Sequence, residues 1–310
     1  MAFYNPDPAM HQALVDLVQQ LASEDRPGLA DQLSITWIRY PQSLIDQASR
    51  LNNADEAPLA AAGAHWGGDR ARYPASVVKL IYMVAAEAWL QRRLIEDDEE
   101  LRRAMADMIR DSSNDATSLV MDLLSGTRSG PNLKAEELNR WSDQRRLVND
   151  WLASLDWPEW QGCNACQKTW GDGPYGRERQ FYGPQLENRN RLSTEFTARM
   201  LEAVIAGTLV SPRACDRMRQ LLARSLDPAH RASDPENQVD GFLGEALPPK
   251  ALLWSKAGWM SQARHDAAYV EAEGITPTLL VVFSESKKCA ADARLLPTIA
   301  SRLLNHPQPA

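Results

Sequence analysis

The chain is 310 residues long and 44% hydrophobic, enough to bury one large core or two smaller ones. Its 41 acidic and 34 basic side chains leave a formal charge of −7, which argues against a nucleic-acid partner, because such partners call for a basic face. No apolar run reaches the ~20 residues of a bilayer span, and the N-terminal MAFYNPDPAMHQALVDLVQQ has no basic region and no continuous apolar region of a signal peptide, so a soluble cytoplasmic protein without a membrane partner is expected.

Residues 8–22 read as an amphipathic helix. LSITWIRY (33–40) alternates with β-branched and aromatic residues and reads as a strand. PLAAAGAHW (58–66) is its expected partner. After Pro74 the chain is apolar almost all round, the pattern of a helix inside a domain. Helices are expected at 76–94, 97–110, 115–125, 134–154, 193–206 and 211–224. The acidic run EDDEE (96–100) reads as a solvated helix start. Residues 156–191, rich in Gly, Pro, Trp, Tyr and Asn, show no periodicity, and a loop of that length in a compact domain is usually functional. Cys163 and Cys166 form a C-x-x-C without the second pair a zinc ribbon needs, while Cys215 and Cys289 stand alone, so structural cysteines are expected. ALLWSKA (251–257), DAAYVEAE (266–273) and TPTLLVVFSES (276–286) read as three antiparallel strands, and 289–304 as a closing helix.

Strands at both ends and helices between them suggest an α+β fold. The economical arrangement is a five-stranded antiparallel sheet flanked by the terminal helices, built from residues 1–72 and 245–310. An all-helical domain, 73–244, is inserted, and a groove is expected at the interface, where pockets concentrate.

The buried-looking helix carries Ser76 and Lys79 in its first turn. Residues at i and i+3 share a helix face, so hydroxyl and amine can meet. A serine needs a nearby base to become a nucleophile, and a lysine serves as that base only when burial lowers its pKa. A second S-x-x-K, Ser284 to Lys287, sits at a polar strand end with no buried lysine and reads as chance. Two further motifs occur once each: Ser112-Ser113-Asn114 ahead of an apolar helix, and Lys256-Ala257-Gly258 on an expected strand.

In this order, S-x-x-K, S-x-N and K-x-G, the chain resembles the class A β-lactamase and penicillin-binding-protein superfamily, whose motifs are S-x-x-K, S-D-N and K-T-G. The resemblance implies an acylated nucleophile at Ser76, with Lys79 as its base and Ser112 carrying a proton to the leaving group. It also implies that Asn114 bonds a substrate amide, that Lys256 adds positive charge across the groove, and that the N–H groups of Ser76 and Trp259, next to Gly258, form an oxyanion hole. Arg264 is the candidate for a substrate carboxylate, which arginine suits by its bidentate geometry.

Three departures bear on activity. Ser113 replaces the motif aspartate, Ala257 replaces the threonine, and no E-x-x-L-N segment is present. Glu178 and Glu187, the only carboxylates of the long loop near the following helix, are the candidates to activate a deacylating water, but each is expected to pair with a neighbouring arginine, Arg177, Arg179, Arg189 or Arg191. A serine hydrolase acting through an acyl-enzyme on a small-molecule or peptide amide or ester is therefore expected, rather than an efficient β-lactamase. The alternatives are a catalytically inactive protein that keeps the groove for binding, a weak β-lactamase, and a Ser-His-Asp hydrolase using His265. The last is disfavoured because Asp266 is its strand neighbour and points to the other face. His11, His65, His230 and His306 show no ligand spacing, so neither metal nor cofactor is expected.

Overall fold

The computed structural model describes residues 3–46, 61–234 and 236–306. The chain divides into two compact units, Met1–Val77 with Ser193–Ala310, and Val78–Leu192. Residues 193–244, assigned by pattern to the inserted domain, belong instead with the sheet.

The first unit holds a mixed sheet of seven strands, not five antiparallel ones: β1 (Asn5–Pro6), β2 (Leu33–Arg39), β3 (Ala62–Trp66), β4 (Ala223–Arg224), β5 (Leu252–Met260), β6 (Ala263–Ala272) and β7 (Ile275–Glu285). Their order is β1-β3-β2-β7-β6-β5-β4. The five inner strands are the expected ones, antiparallel throughout. The two outer strands are two residues long, too short for periodicity to register, and β1 lies parallel to β3. Of the strand expected at 58–66, residues 58–60 lie outside the described residues.

Every residue of β2 is buried because both sheet faces are covered. On one face, Leu33, Ile35 and Trp37 join Leu253, Ala257, Ala268, Leu280 and Val282 in a core closed by Leu14, Leu17 and Leu21 of the helix Pro8–Glu24 and by Leu295, Ile299 and Leu303 of the helix Leu295–Leu304. The first of these helices starts where Asp7 accepts from the amides of Ala9 and Met10, with Pro8 in its first turn. On the other face the Thr36 hydroxyl donates to the Glu195 carboxylate at 2.8 Å and lies 2.8 Å from the Thr194 hydroxyl, and Tyr40 bonds Glu202 at 3.1 Å, all three partners lying on the helix Thr194–Ile205. The closing helix expected at 289–304 is broken into Lys287–Ala291 and Leu295–Leu304.

The second unit is helical. Its axis is the helix Val78–Gln91, buried continuously from Val78 to Trp89. The one carboxylate inside it, Glu87, is neutralised by Arg102 at 2.6 Å. The helices Glu99–Arg110 and Asn114–Ser125 pack on it, Leu147–Ala153 meets it through Trp151 against Trp89, and Ala135–Arg145 packs on Leu147–Ala153. The acidic run does start a helix: the Asp98 side chain caps it by accepting from the Leu101 amide at 2.8 Å. The 156–191 segment is not structureless. It contains the helix Gly176–Tyr182 and a bridge between Asn164 and Arg191, and it is pinned by Asn190, whose side chain bonds the backbone of Cys166 and Gln167. Sequence periodicity misses such a segment because side-chain amides order it through backbone bonds rather than an apolar stripe.

Among the described residues no helix is long and apolar enough to cross a membrane, and no cluster of three or more His, Cys, Asp or Glu is placed to hold a metal ion.

Candidate active site

Ser76 lies in the first unit, in a 3₁₀ turn, Ala75–Val77, and not in the α-helix expected from residue 76. The turn is tight: the Val77 amide donates to the Pro74 carbonyl at 3.1 Å, and Ala75 takes φ +46°, left-handed backbone that costs a residue with a Cβ. Strand β5 runs against this turn. A Cβ at position 258 would sit 2.9 Å from the Pro74 carbonyl oxygen and 3.0 Å from the amide nitrogens of both Ser76 and Val77, so only glycine allows the approach. Trp259 follows at once, its indole 63% exposed and its Nε1 donating to the Ala290 carbonyl at 3.0 Å.

Alternation along β5 sets the other side chains. Lys256 shares the face that Gly258 turns to the serine, and Ala257 points into the apolar core, where a threonine hydroxyl would need a buried partner. The Lys256 amine is fully buried and donates to Gln238 Oε1 at 2.5 Å and to the Ala257 carbonyl at 2.8 Å. Gln238 also receives the Ala257 amide at 3.2 Å. No sequence signal singled out Gln238; it meets Lys256 only through the fold.

Arg264 does not stand open to a carboxylate as expected. Its Nε donates to the Ala290 carbonyl at 3.1 Å and its Nη1 to the Gly241 carbonyl at 3.2 Å, with the guanidinium 5.2 Å from both the Phe242 and Trp259 rings. His265 and Asp266 turn opposite ways. The Asp266 carboxylate accepts from the Leu243 amide at 3.1 Å. Of the two His265 nitrogens, Nδ1 accepts from the Ser284 amide at 3.0 Å and Nε2 lies 2.9 Å from the Tyr73 carbonyl. Neither nitrogen is left to take a proton from a serine, which removes the Ser-His-Asp reading.

The second unit carries the remaining motifs. Lys79 is fully buried, and its Nζ donates to the Ser112 carbonyl, to Ser112 Oγ at 3.2 Å and to Asn114 Oδ1 at 2.9 Å. Burial draws its pKa down to about 7. Ser112 reaches it because its own backbone is left-handed, φ +56°. Ser113, the residue in place of aspartate, caps the helix Asn114–Ser125 by accepting from the Ala116 amide at 3.1 Å. The two motifs, more than thirty residues apart in sequence, thus meet at one amine.

Neither expected deacylating carboxylate is positioned for that work. Glu178 is fully buried beside Arg145, receives the Ser129 hydroxyl at 2.7 Å and lies 4.0 Å from Lys168, which in turn pairs with Asp122 at 2.8 Å. It anchors the helix Gly176–Tyr182 inside the unit. Glu187 is exposed and accepts from the Gln185 amide at 3.1 Å within its own turn. Cys166 is a buried thiol bonded to Asn164, with its pKa pushed up to about 12 by burial, and is inert.

A family model, the β-lactamase enzyme family, matches residues 90–306, more than half of the chain, beginning downstream of Ser76 and Lys79. No curated protein sequence matches. Among solved structures the chain is similar to PBP-A at 16% identity and TM-score 0.60, covering 97% of this chain and 96% of that one. A mutant of PBP-A, described as an acyl-enzyme complex with penicillin G, gives 15% identity and TM-score 0.61 over the same shares. A β-lactamase from Sphaerobacter thermophilus is similar at 18% identity and TM-score 0.59, covering 97% of this chain and 100% of its own. At these identities the likeness is one of fold.

Proposed function

Because the chain belongs to the β-lactamase enzyme family, whose fold supports hydrolase chemistry, we propose that it is a serine hydrolase acylated at Ser76, acting on an amide, peptide or ester. The observation that carries this reading is the Lys79 amine: fully buried, titrating at about 7, held by Ser112 and Asn114, and three residues of chain from the serine.

In this reading neutral Lys79 takes the proton of Ser76 Oγ as the oxygen attacks the substrate carbonyl. The oxyanion that forms is met by backbone N–H groups of the Ser76 turn and of Trp259 beside Gly258, each such donor contributing about 3 kcal/mol to transition-state stabilisation. Lys79 returns the proton to the leaving group through the Ser112 hydroxyl, while Asn114 bonds the substrate amide. Lys256 adds positive charge that attracts an anionic substrate. Water then cleaves the ester. With Glu178 buried in an ion pair and Glu187 bound in its own turn, neither candidate carboxylate is set to activate that water, so a penicillin adduct is long-lived and β-lactam turnover slow. Four cysteines in a chain of this length suit a reducing compartment, in keeping with a cytoplasmic enzyme working on small substrates.

The test is covalent labelling. Wild type, Ser76→Ala and Lys79→Ala are incubated with a fluorophosphonate and, separately, with penicillin G, then read by intact mass and peptide mapping, followed by a screen of small amides, dipeptides and esters. A single adduct mapped to Ser76, lost in both variants, is expected. Folded wild-type protein that takes up neither reagent would leave a binding protein in its place.

A further inference from the structure

The Arg264-His265-Asp266 run stands out in the sequence, yet the proposed chemistry uses none of the three directly. Together they tie strand β6 to two segments. Arg264 holds the Gly241 carbonyl, Asp266 holds the Leu243 amide, and His265 holds the Tyr73 carbonyl, three residues before Ser76. The first two fix the stretch that follows Gln238, the acceptor of the Lys256 amine. The third acts on the nucleophile's own turn.

The tautomer of His265 follows from its partners. Nδ1 faces an N–H donor, the Ser284 amide at 3.0 Å, and therefore carries no proton. The proton sits on Nε2 and is donated to the Tyr73 carbonyl at 2.9 Å. The ring is fully buried and stacked on Phe283, centroids 4.6 Å apart, so it cannot swing. Burial pushes its pKa down to about 4, which keeps it neutral and this pattern intact at working pH. His265 also faces Gly258 across the β5–β6 ladder, and Gly258 abuts Pro74 and Ser76. The turn that carries Ser76 is thus gripped on one strand face by two directly paired residues, a histidine donor and a glycine surface. Between the grips sits Ala75 in left-handed backbone, a conformation that persists only where its surroundings impose it.

We infer that His265 is a positioning residue for Ser76: its Nε2–H, aimed by the Ser284 amide, locks the Tyr73 carbonyl and so holds the strained turn that presents the serine. The inference rests on the acyl-enzyme reading for its effect on rate, but the lock itself is a property of the turn and is measured separately.

The experiment compares wild type with His265→Gln, His265→Asn and His265→Phe. Glutamine keeps an N–H donor near the Nε2 position. Asparagine keeps an acceptor near Nδ1 and loses the reach to Tyr73. Phenylalanine keeps the stacking and loses both bonds. Two readouts are taken on folded protein: hydrogen exchange in peptides spanning 72–78, and the second-order rate of fluorophosphonate labelling. Expected is at least tenfold faster exchange of the Val77 amide in the asparagine and phenylalanine variants, with peptides of the second unit unchanged. Labelling slows by ten- to a hundredfold in the same two variants, and glutamine restores much of both. If phenylalanine fails to fold, the glutamine–asparagine pair decides. Equal exchange at 72–78 in all folded variants, or acceleration spread evenly over the chain, overturns the lock. Faster local exchange with an unchanged labelling rate overturns its role in positioning Ser76. Absence of labelling in wild type, with exchange behaving as described, overturns the acyl-enzyme reading and the positioning role with it, and leaves the lock standing.

Discussion

Gly258 and Ser76 are in backbone contact: a single added carbon on the glycine would lie 3.0 Å from the serine amide nitrogen and 2.9 Å from the carbonyl oxygen of Pro74. The neighbours are main chain and cannot rotate away. Gly258→Ala is therefore expected to push strand and turn apart, lowering stability by about 1–3 kcal/mol as overpacking does. The rate of Ser76 labelling should drop by about a hundredfold, since a misplacement of about 1 Å costs that much. Denaturant unfolding and labelling kinetics check the two effects. A variant that labels at the wild-type rate would show that the contact does not set the serine's position.

With Lys79 as the proposed base, the pH dependence of labelling should follow its titration. Its pKa is lowered by burial to about 7, and the active form is the neutral one, present above that value. The labelling rate is expected to rise with pH through a midpoint near 7 and level off above it. Lys79→Ala should lose at least a thousandfold and its ascending limb. A rate independent of pH between about 5.5 and 9 contradicts Lys79 as the base.

His265 and Asp266 should act on stability with opposite pH slopes. Burial lowers the histidine pKa from 6.5 to about 4, so the unfolded chain binds the extra proton between those values, and the folded state loses stability as pH falls from 6.5. Burial raises the aspartate from 3.8 to about 7, so here the folded chain holds the extra proton, and stability is lost as pH rises from 4 to 7. Asp266→Asn keeps an acceptor for the Leu243 amide and removes only the ionisation. The variant is expected to match wild type near pH 4 and to be the more stable of the two at pH 7–8, by thermal unfolding. A variant less stable than wild type at pH 8 would mean that the charged carboxylate is stabilising.

Glu178 separates anchor from base. Both it and Arg145 are fully buried, so Glu178→Ala strips the buried cation of its close partner, leaving Asp122 at 3.7 Å, and should cost up to about 3 kcal/mol in denaturant unfolding. Hydrolysis of a penicillin adduct on the remaining folded protein should continue at the wild-type rate. A selective loss of adduct hydrolysis, with stability retained, would make Glu178 the deacylating base.

The amino-acid sequence alone determined the parts whose signal is local. The five inner strands are legible because β-branched and aromatic residues alternate over lengths that register, and the helix Val78–Gln91 because it is apolar all round. The order of the three motifs was enough to name the superfamily. Tertiary structure decided what depends on meeting at a distance. His265 and Tyr73 are 192 positions apart, and neither carries a mark of the other. Gln238 reaches Lys256, Glu178 is buried against Arg145, and Arg264 is turned into its own fold, each by packing that no spacing rule encodes. Periodicity reports which residues face a core. Which polar atoms find each other inside it is settled only when every buried donor and acceptor must be satisfied at once.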